Sequence, residues 1–155
     1  MFRIESDLTQ IALVFSQKAQ LLENSWGDHL VEAAGDGIAA VTHRIQQKGE
    51  NTSGNQMITQ SAKRSGAYSR AYAAYRSRQG RQIGKVDFTM EGDLMRNYQI
   101  IYRGMREVVV GFMDADMNEI ALYLEAYFGA AWYLSVEEQK VVMDSLSIKV
   151  FNHFN

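Results

Sequence analysis

Residues 98–113 read Tyr98-Gln99-Ile100-Ile101-Tyr102-Arg103-Gly104-Met105-Arg106-Glu107-Val108-Val109-Val110-Gly111-Phe112-Met113, and this stretch decides the fold class. The runs Tyr98 to Arg103 and Glu107 to Met113 are rich in β-branched and aromatic residues, which suit a pleated, half-buried surface. Gly104-Met105 between them fits a tight hairpin with Gly at the first central position. Upstream, Val86, Phe88 and Met90 alternate with polar residues and predict another strand, with Asp87 facing solvent. Asp93-Leu94-Met95-Arg96 reads as a short turn or helical bend. Downstream, Asp114 or Asp116 caps a helix with Ile120, Leu124 and Phe128 on one face. Ala131-Trp132-Tyr133-Leu134 reads as a short strand. Ser135-Val136-Glu137-Glu138 is a capping box that opens a last helix carrying Val142, Met143, Leu146, Val150 and Phe154.

The N-terminal part follows a helical period instead. Asp7 with Gln10 opens a first helix, with Leu8, Ile11, Phe15, Ala19 and Leu22 on one face and an end near Glu23. Ser25 with Asp28 opens a second, with Leu30, Val31, Ala34, Ile38, Val41 and Ile45 inward and Lys48-Gly49 as the stop. Gly35 and Gly37 inside it point to a kink or a close helix crossing. Residues 1–49 thus read as an αα-hairpin and 50–63 as a polar loop, long enough to be functional or mobile. Residues 64–155 are the α+β core, opened by a helix over 64–78 in which Tyr68, Tyr72 and Tyr75 form the buried face. The expected fold is α+β: an N-terminal αα-hairpin, then a small antiparallel sheet packed with helices and a C-terminal helix, in one domain over 1–155.

The composition is that of an ordinary globular chain: 155 residues, 46% hydrophobic and 22% charged, with a formal net charge of −2. Cys is absent, which excludes disulfides, thiolate zinc sites and thiol catalysis. Pro is absent too, so turns fall to Gly, Asn, Asp and Ser. No apolar run approaches the length of a membrane span, and the early acid Glu5 argues against a signal peptide. The charge is polarised. Residues 51–86 carry no acid but seven bases (Lys63, Arg64, Arg70, Arg76, Arg78, Arg81 and Lys85), whereas 107–155 carry eight acids and two lysines. Such asymmetry steers partners or orders like subunits head to tail.

Few residues assemble into recognisable chemistry. His29, His43 and His153 stand without a second His or a Cys at metal-ligand spacing and read as surface or boundary histidines. No nucleophile elbow, dinucleotide fingerprint or phosphate-binding loop occurs. Asp114, Asp116, Asn118 and Glu125 fall at positions 1, 3, 5 and 12 of a calcium loop, but Glu119 stands where the sharp turn needs Gly, so helix capping is the better reading. Asp87, Glu91 and Asp93 lie close to Lys85, in a pattern that turn chemistry explains. No catalytic residue, cofactor or metal site is therefore expected. The basic stretch 63–85 with its tyrosines is compatible with nucleic acid, Arg on phosphates and Tyr on bases.

The order of short motifs over 68–138 resembles one known family. Tyr68-x3-Tyr72-x3-Arg76 leads to Gly80-Arg81-Gln82, then Val86-Asp87-Phe88-Thr89-Met90 and Gly92-Asp93-Leu94-Met95. Gln99, Val110-Gly111-Phe112, Ile120, Leu124-Glu125, Phe128-Gly129 and Leu134-Ser135 follow. This order is similar to that of tailed-phage virion-morphogenesis proteins, the tail-completion or head–tail joining (neck) proteins. The Pro-bearing segment that many relatives carry before the final strand is missing. The resemblance implies a non-enzymatic virion component, made in the host cytoplasm. It would form a homo-oligomeric ring at the neck, between the portal-adaptor and the tail-terminator or tail-tube proteins. It implies no membrane partner, and packaged DNA would meet such a ring only non-specifically. Under that reading Arg76, Arg78 and Arg81 are the expected inter-subunit or inter-ring contacts, paired with acids such as Glu137 and Glu138. The alternative reading is a nucleic-acid-binding protein using 63–85.

Overall fold

A computed structural model describes residues 8–155. The expected Asp7 cap lies outside them. One helix, α1 (Leu8–His43), runs through the position where the sequence predicts a break, and a π-helical turn (Arg44–Lys48) extends it to Gly49. The N-terminal αα-hairpin is therefore not formed. Ser25, read as a helix start, turns its hydroxyl back onto the Leu21 and Leu22 carbonyls (3.0 and 3.2 Å). Such back-bonding is the alternative open to a mid-helix Ser. The partner of α1 comes from the other end of the chain. Helix α5 (Val136–Phe154) lies along it, and this is the most extensive packing between any two elements.

Between them lie β1 (Arg64–Ser65) and β2 (Tyr68–Ser69), a minimal antiparallel pair, then α2 (Arg70–Arg78) and α3 (Asp93–Asn97). Next come β3 (Tyr98–Arg103) and β4 (Val108–Phe112), antiparallel with a bulge between Ile100 and Tyr102, and α4 (Ala115–Phe128). The fold is α+β, as expected, with two two-stranded sheets. The β3–β4 hairpin closes through Gly104 N–H to Glu107 O (2.8 Å), so Met105 and Arg106 are the central turn residues and Gly104 flanks them rather than taking the expected first central position. Its tip leans on α1 at Gly27, where an added Cβ would stand 3.3 Å from the Gly104 carbonyl oxygen.

Three sequence expectations change. The helix predicted over 64–78 begins only at Arg70, because Gly66 (φ 64°) turns the chain into the β1–β2 pair. The strands predicted at 86–90 and 131–134 are absent, because neither segment has a partner strand. Side chains take over the backbone groups instead. Thr89 N–H donates to Asp87 Oδ1 (3.0 Å), and Ala131 and Trp132 N–H both donate to Glu125 Oε1 (2.8 and 3.0 Å). The capping box holds: Ser135 Oγ accepts from Glu138 N–H (3.2 Å) and Glu138 Oε2 from Ser135 N–H (2.7 Å). Asp114 caps α4, accepting from Asp116 N–H (2.8 Å).

The core gathers Val41 from the end of α1 and Ile45 from the π-helical turn, with Met57, Tyr68, Ala73, Val86, Leu94, Tyr98, Ala121, Ala131 and Trp132. Tyr98, Phe112, Phe88 and Trp132 form its aromatic centre, with ring centroids 4.9–5.5 Å apart along the chain of contacts. The polar loop after Gly49 is pinned to it in its first half. Asn51 Nδ2 donates to Phe128 O (3.1 Å), and Met57 is buried. Among the described residues no helix is long and apolar enough to cross a membrane.

Gly35 and Gly37, in the second half of α1, differ. Gly37 is buried where α5 crosses, and a Cβ there would meet Val142 and Leu134 at 3.1 and 3.3 Å; Gly35 faces open space. Gly37→Leu should therefore lower stability by about 1–3 kcal/mol through overpacking. Gly35→Ala should raise it by up to about 1 kcal/mol. Urea denaturation of the two variants checks the opposite signs.

Candidate functional site: a basic, tyrosine-bearing face

Helix α2 carries the residues that the sequence singles out, but with its faces exchanged. Ala73 and Arg76 point inward, and Arg76 is only 2% exposed. Tyr72 and Tyr75 are 41% and 47% exposed and stack on each other (centroids 6.1 Å, interplanar angle 29°). Of the three tyrosines only Tyr68, ahead of the helix, is buried. Arg78 follows Tyr75 by three residues, so Tyr72, Tyr75 and Arg78 share one outward stripe. Arg70 and Arg81 are exposed as well. Beside this stripe, an apolar groove of about 470 Å³ lies between α2, the 86–93 segment and α4, lined among others by Tyr72, Phe88, Leu94, Ile120, Leu124 and Phe128.

The inward turn of Arg76 has a clear cause. Its Nη2 donates to both oxygens of Asp87 (3.0 and 3.2 Å), Nη1 to Thr89 O (3.0 Å) and Nε to Gln82 O (3.0 Å). The guanidinium also lies 4.5 Å from the centre of the Tyr68 ring, a cation–π contact. Asp87 accepts further from Tyr68 Oη (3.3 Å) and from Gln82 Nε2. Asp87, expected at the solvent face, is thus buried as the counter-ion of Arg76. Together they hold the irregular segment 82–89 against α2.

Glu138 is occupied in the same way. It is 7% exposed, and its Oε1 accepts from Arg44 Nε (2.8 Å). Arg44 also donates to the carbonyls of Glu50 (3.0 Å), Ala131 (2.8 Å) and Tyr133 (3.0 Å). Of the five expected contact residues, the structure leaves Arg78, Arg81 and Glu137 exposed and commits Arg76 and Glu138 to pairs within the chain. Sequence reasoning missed Arg44 altogether. Its signal was a charged residue inside the inward stripe of α1, next to Val41 and Ile45.

The other carboxylates are equally local. Asp93 pairs with Arg96 on the surface. Glu125 binds the 131–132 amides, which turns it away from any calcium loop with Asp114. Among the described residues no group of three or more His, Cys, Asp or Glu is placed to hold a metal. Burial pushes the Tyr98 phenol up to about 12, against a partial pull from the Arg44 cation, and pushes Tyr68 up as well. Tyr98 donates to Trp132 O (2.7 Å).

No protein-family model matches this sequence, and no curated protein and no solved structure matches it.

Arg76→Met leaves Asp87 buried without its cation and should cost about 3–5 kcal/mol. Arg78→Met, on the exposed stripe, should stay within about 0.5 kcal/mol; chemical denaturation of each reads the contrast. The tyrosines set an alkaline limit. Their folded-state pKa values are raised, so the unfolded chain loses these protons first. Stability is then complete below about pH 10 and falls as pH rises from there towards 12. In Tyr98→Phe that alkaline decline should be shallower than in the wild type, measured by denaturation at stepwise pH.

Proposed function

We propose that this chain is a structural virion protein of the tailed-phage neck or tail-completion type. Like subunits form a ring that joins the head, through its portal-adaptor, to the tail. One observation carries the reading: several of the positions that give the family resemblance hold irregular segments of this fold in place. Tyr68, Arg76, Gln82, Asp87 and Thr89 make up a single polar cluster around the buried Arg76–Asp87 pair. Gly92 and Gly129 adopt φ values of 90° and 89°, which favour Gly. Glu125 and Ser135 tie down the two ends of the 129–135 segment. A motif order that falls on such structural positions supports a shared fold, and with it a shared role.

The surface suits self-assembly. The first half of α1 leaves Leu8, Ile11, Val14 and Phe15 uncovered, α5 leaves Ile148 and Phe151, and the hairpin leaves Ile101 and Tyr102. Exposed apolar area on this scale marks interaction surfaces. Both strands of β3–β4 also keep an unpaired edge. A basic α2 face and an acidic C-terminal third on one subunit suit a heterologous, ring-closing contact. In that contact Arg78 and Arg81 meet acids such as Glu137 of the next subunit or ring.

The stacked, exposed Tyr72–Tyr75 pair beside Arg78 favours a second reading, binding of nucleic acid. Phosphate contacts would then make affinity fall steeply with salt. Absence of DNA retardation at low salt removes that reading.

The direct test is peptide mass spectrometry of purified particles, with copies counted against the major capsid protein; a low, fixed copy number is expected. The double variant Arg78→Glu, Arg81→Glu should fold normally and block the joining of heads to tails. A normal yield of infectious particles from it would overturn the interface assignment.

A further inference from the structure

Ser25 and His29 lie one helical turn apart on α1, and His153 reaches them from the last turn of α5. The three side-chain atoms converge. His29 Nε2 and His153 Nε2 are 3.0 Å apart, and Ser25 Oγ lies 3.3 Å from the first and 3.1 Å from the second. A tetrahedral ion with bonds of about 2.0–2.1 Å places its ligands about 3.3 Å from one another. The triangle therefore has nearly the dimensions of one face of such a tetrahedron, with the fourth position left for water.

We infer that Ser25, His29 and His153 form a site for a divalent transition ion of the zinc type, which staples the end of α5 to the middle of α1. The proton inventory agrees. The Ser25 hydroxyl proton is directed to the Leu21 or Leu22 carbonyl, which leaves the oxygen lone pairs towards the imidazoles. A single proton can bridge the two rings, but a cation at the centre engages all three lone pairs at once. Two imidazoles and a hydroxyl select borderline ions over magnesium or calcium, which require oxygen-rich cages. Glu32, one turn beyond His29, is engaged by Lys149, whose cation holds its carboxyl below the usual range. It is not a competing ligand. His29 Nδ1 is buried without an acceptor, so the outer shell that strengthens most zinc histidines is lacking. Affinity should accordingly fall well short of that of structural zinc sites. The inference is independent of the virion reading.

The test is titration of the untagged full-length chain with Zn²⁺, followed by calorimetry and thermal melting. One ion per chain and a raised Tm are expected, with no effect of Mg²⁺ or Ca²⁺. Co²⁺ should give the visible absorption of a tetrahedral ion. His29→Ala and His153→Ala should each weaken binding by more than the roughly tenfold to hundredfold that an outer-shell loss costs. His43→Ala, an exposed histidine on the same helix, should leave it unchanged. Circular dichroism reports whether α5 survives the His153 change, and His153→Gln repeats the test without emptying the space. No heat or Tm change in the wild type, an octahedral Co²⁺ spectrum, or undiminished binding by His29→Ala would overturn the site.

Discussion

Arg44 holds together parts of the chain that no regular element connects. It stands where α1 passes into its π-helical turn, and its guanidinium reaches Glu50, Ala131, Tyr133 and Glu138 at once. The segment 129–135 has no ladder to satisfy its carbonyls, and a buried carbonyl without a donor is costly. Arg is the residue that can serve several acceptors from one rigid fork. Its counter-ion Glu138 is also half of the capping box that starts α5. The start of the last helix, the shape of the segment before it and the end of the first helix therefore depend on a single ion pair.

Arg76 repeats the device on the other side of the core. It fixes 82–89 against α2 as Arg44 fixes 131–133 against α1. In both places a side-chain fork replaces a missing strand partner. That explains how two short sheets support a chain of this length, and why Phe88 tolerates a φ of 50° within a segment held from both sides.

With Arg44 and Arg76 committed inside, the surface presents apolar helix faces, an open hairpin and the tyrosine stripe of α2 with its exposed arginines. The core lies at one end of α1, packed around Val41 and Ile45, while the other end exposes Leu8, Ile11 and Val14. The antiparallel contact with α5 runs along α1 through Ser145 and Asp36 (2.7 Å) and through Lys18 and the Phe154 carbonyl (3.1 Å).

The sequence by itself determined what depends on neighbours within a few residues. The β3–β4 hairpin, the Asp114 cap and the Ser135–Glu138 capping box were legible because strand composition and cap chemistry act locally, although the turn centres on Met105-Arg106 and not on Gly104-Met105. Tertiary structure decided what depends on a distant partner. Ser25 carries a hydroxyl equally able to start a helix or to bond back within one, and α5, more than a hundred residues away, lies against the unbroken helix. Val86–Met90 and Ala131–Leu134 have the composition of strands, but a strand forms only where a second edge pairs with it. The periodicity of α2 offered two faces, one of tyrosines and one with Arg76. Only the placement of Asp87 beneath it turned the arginine inward and the tyrosines out, because a buried carboxylate left without its cation is costly.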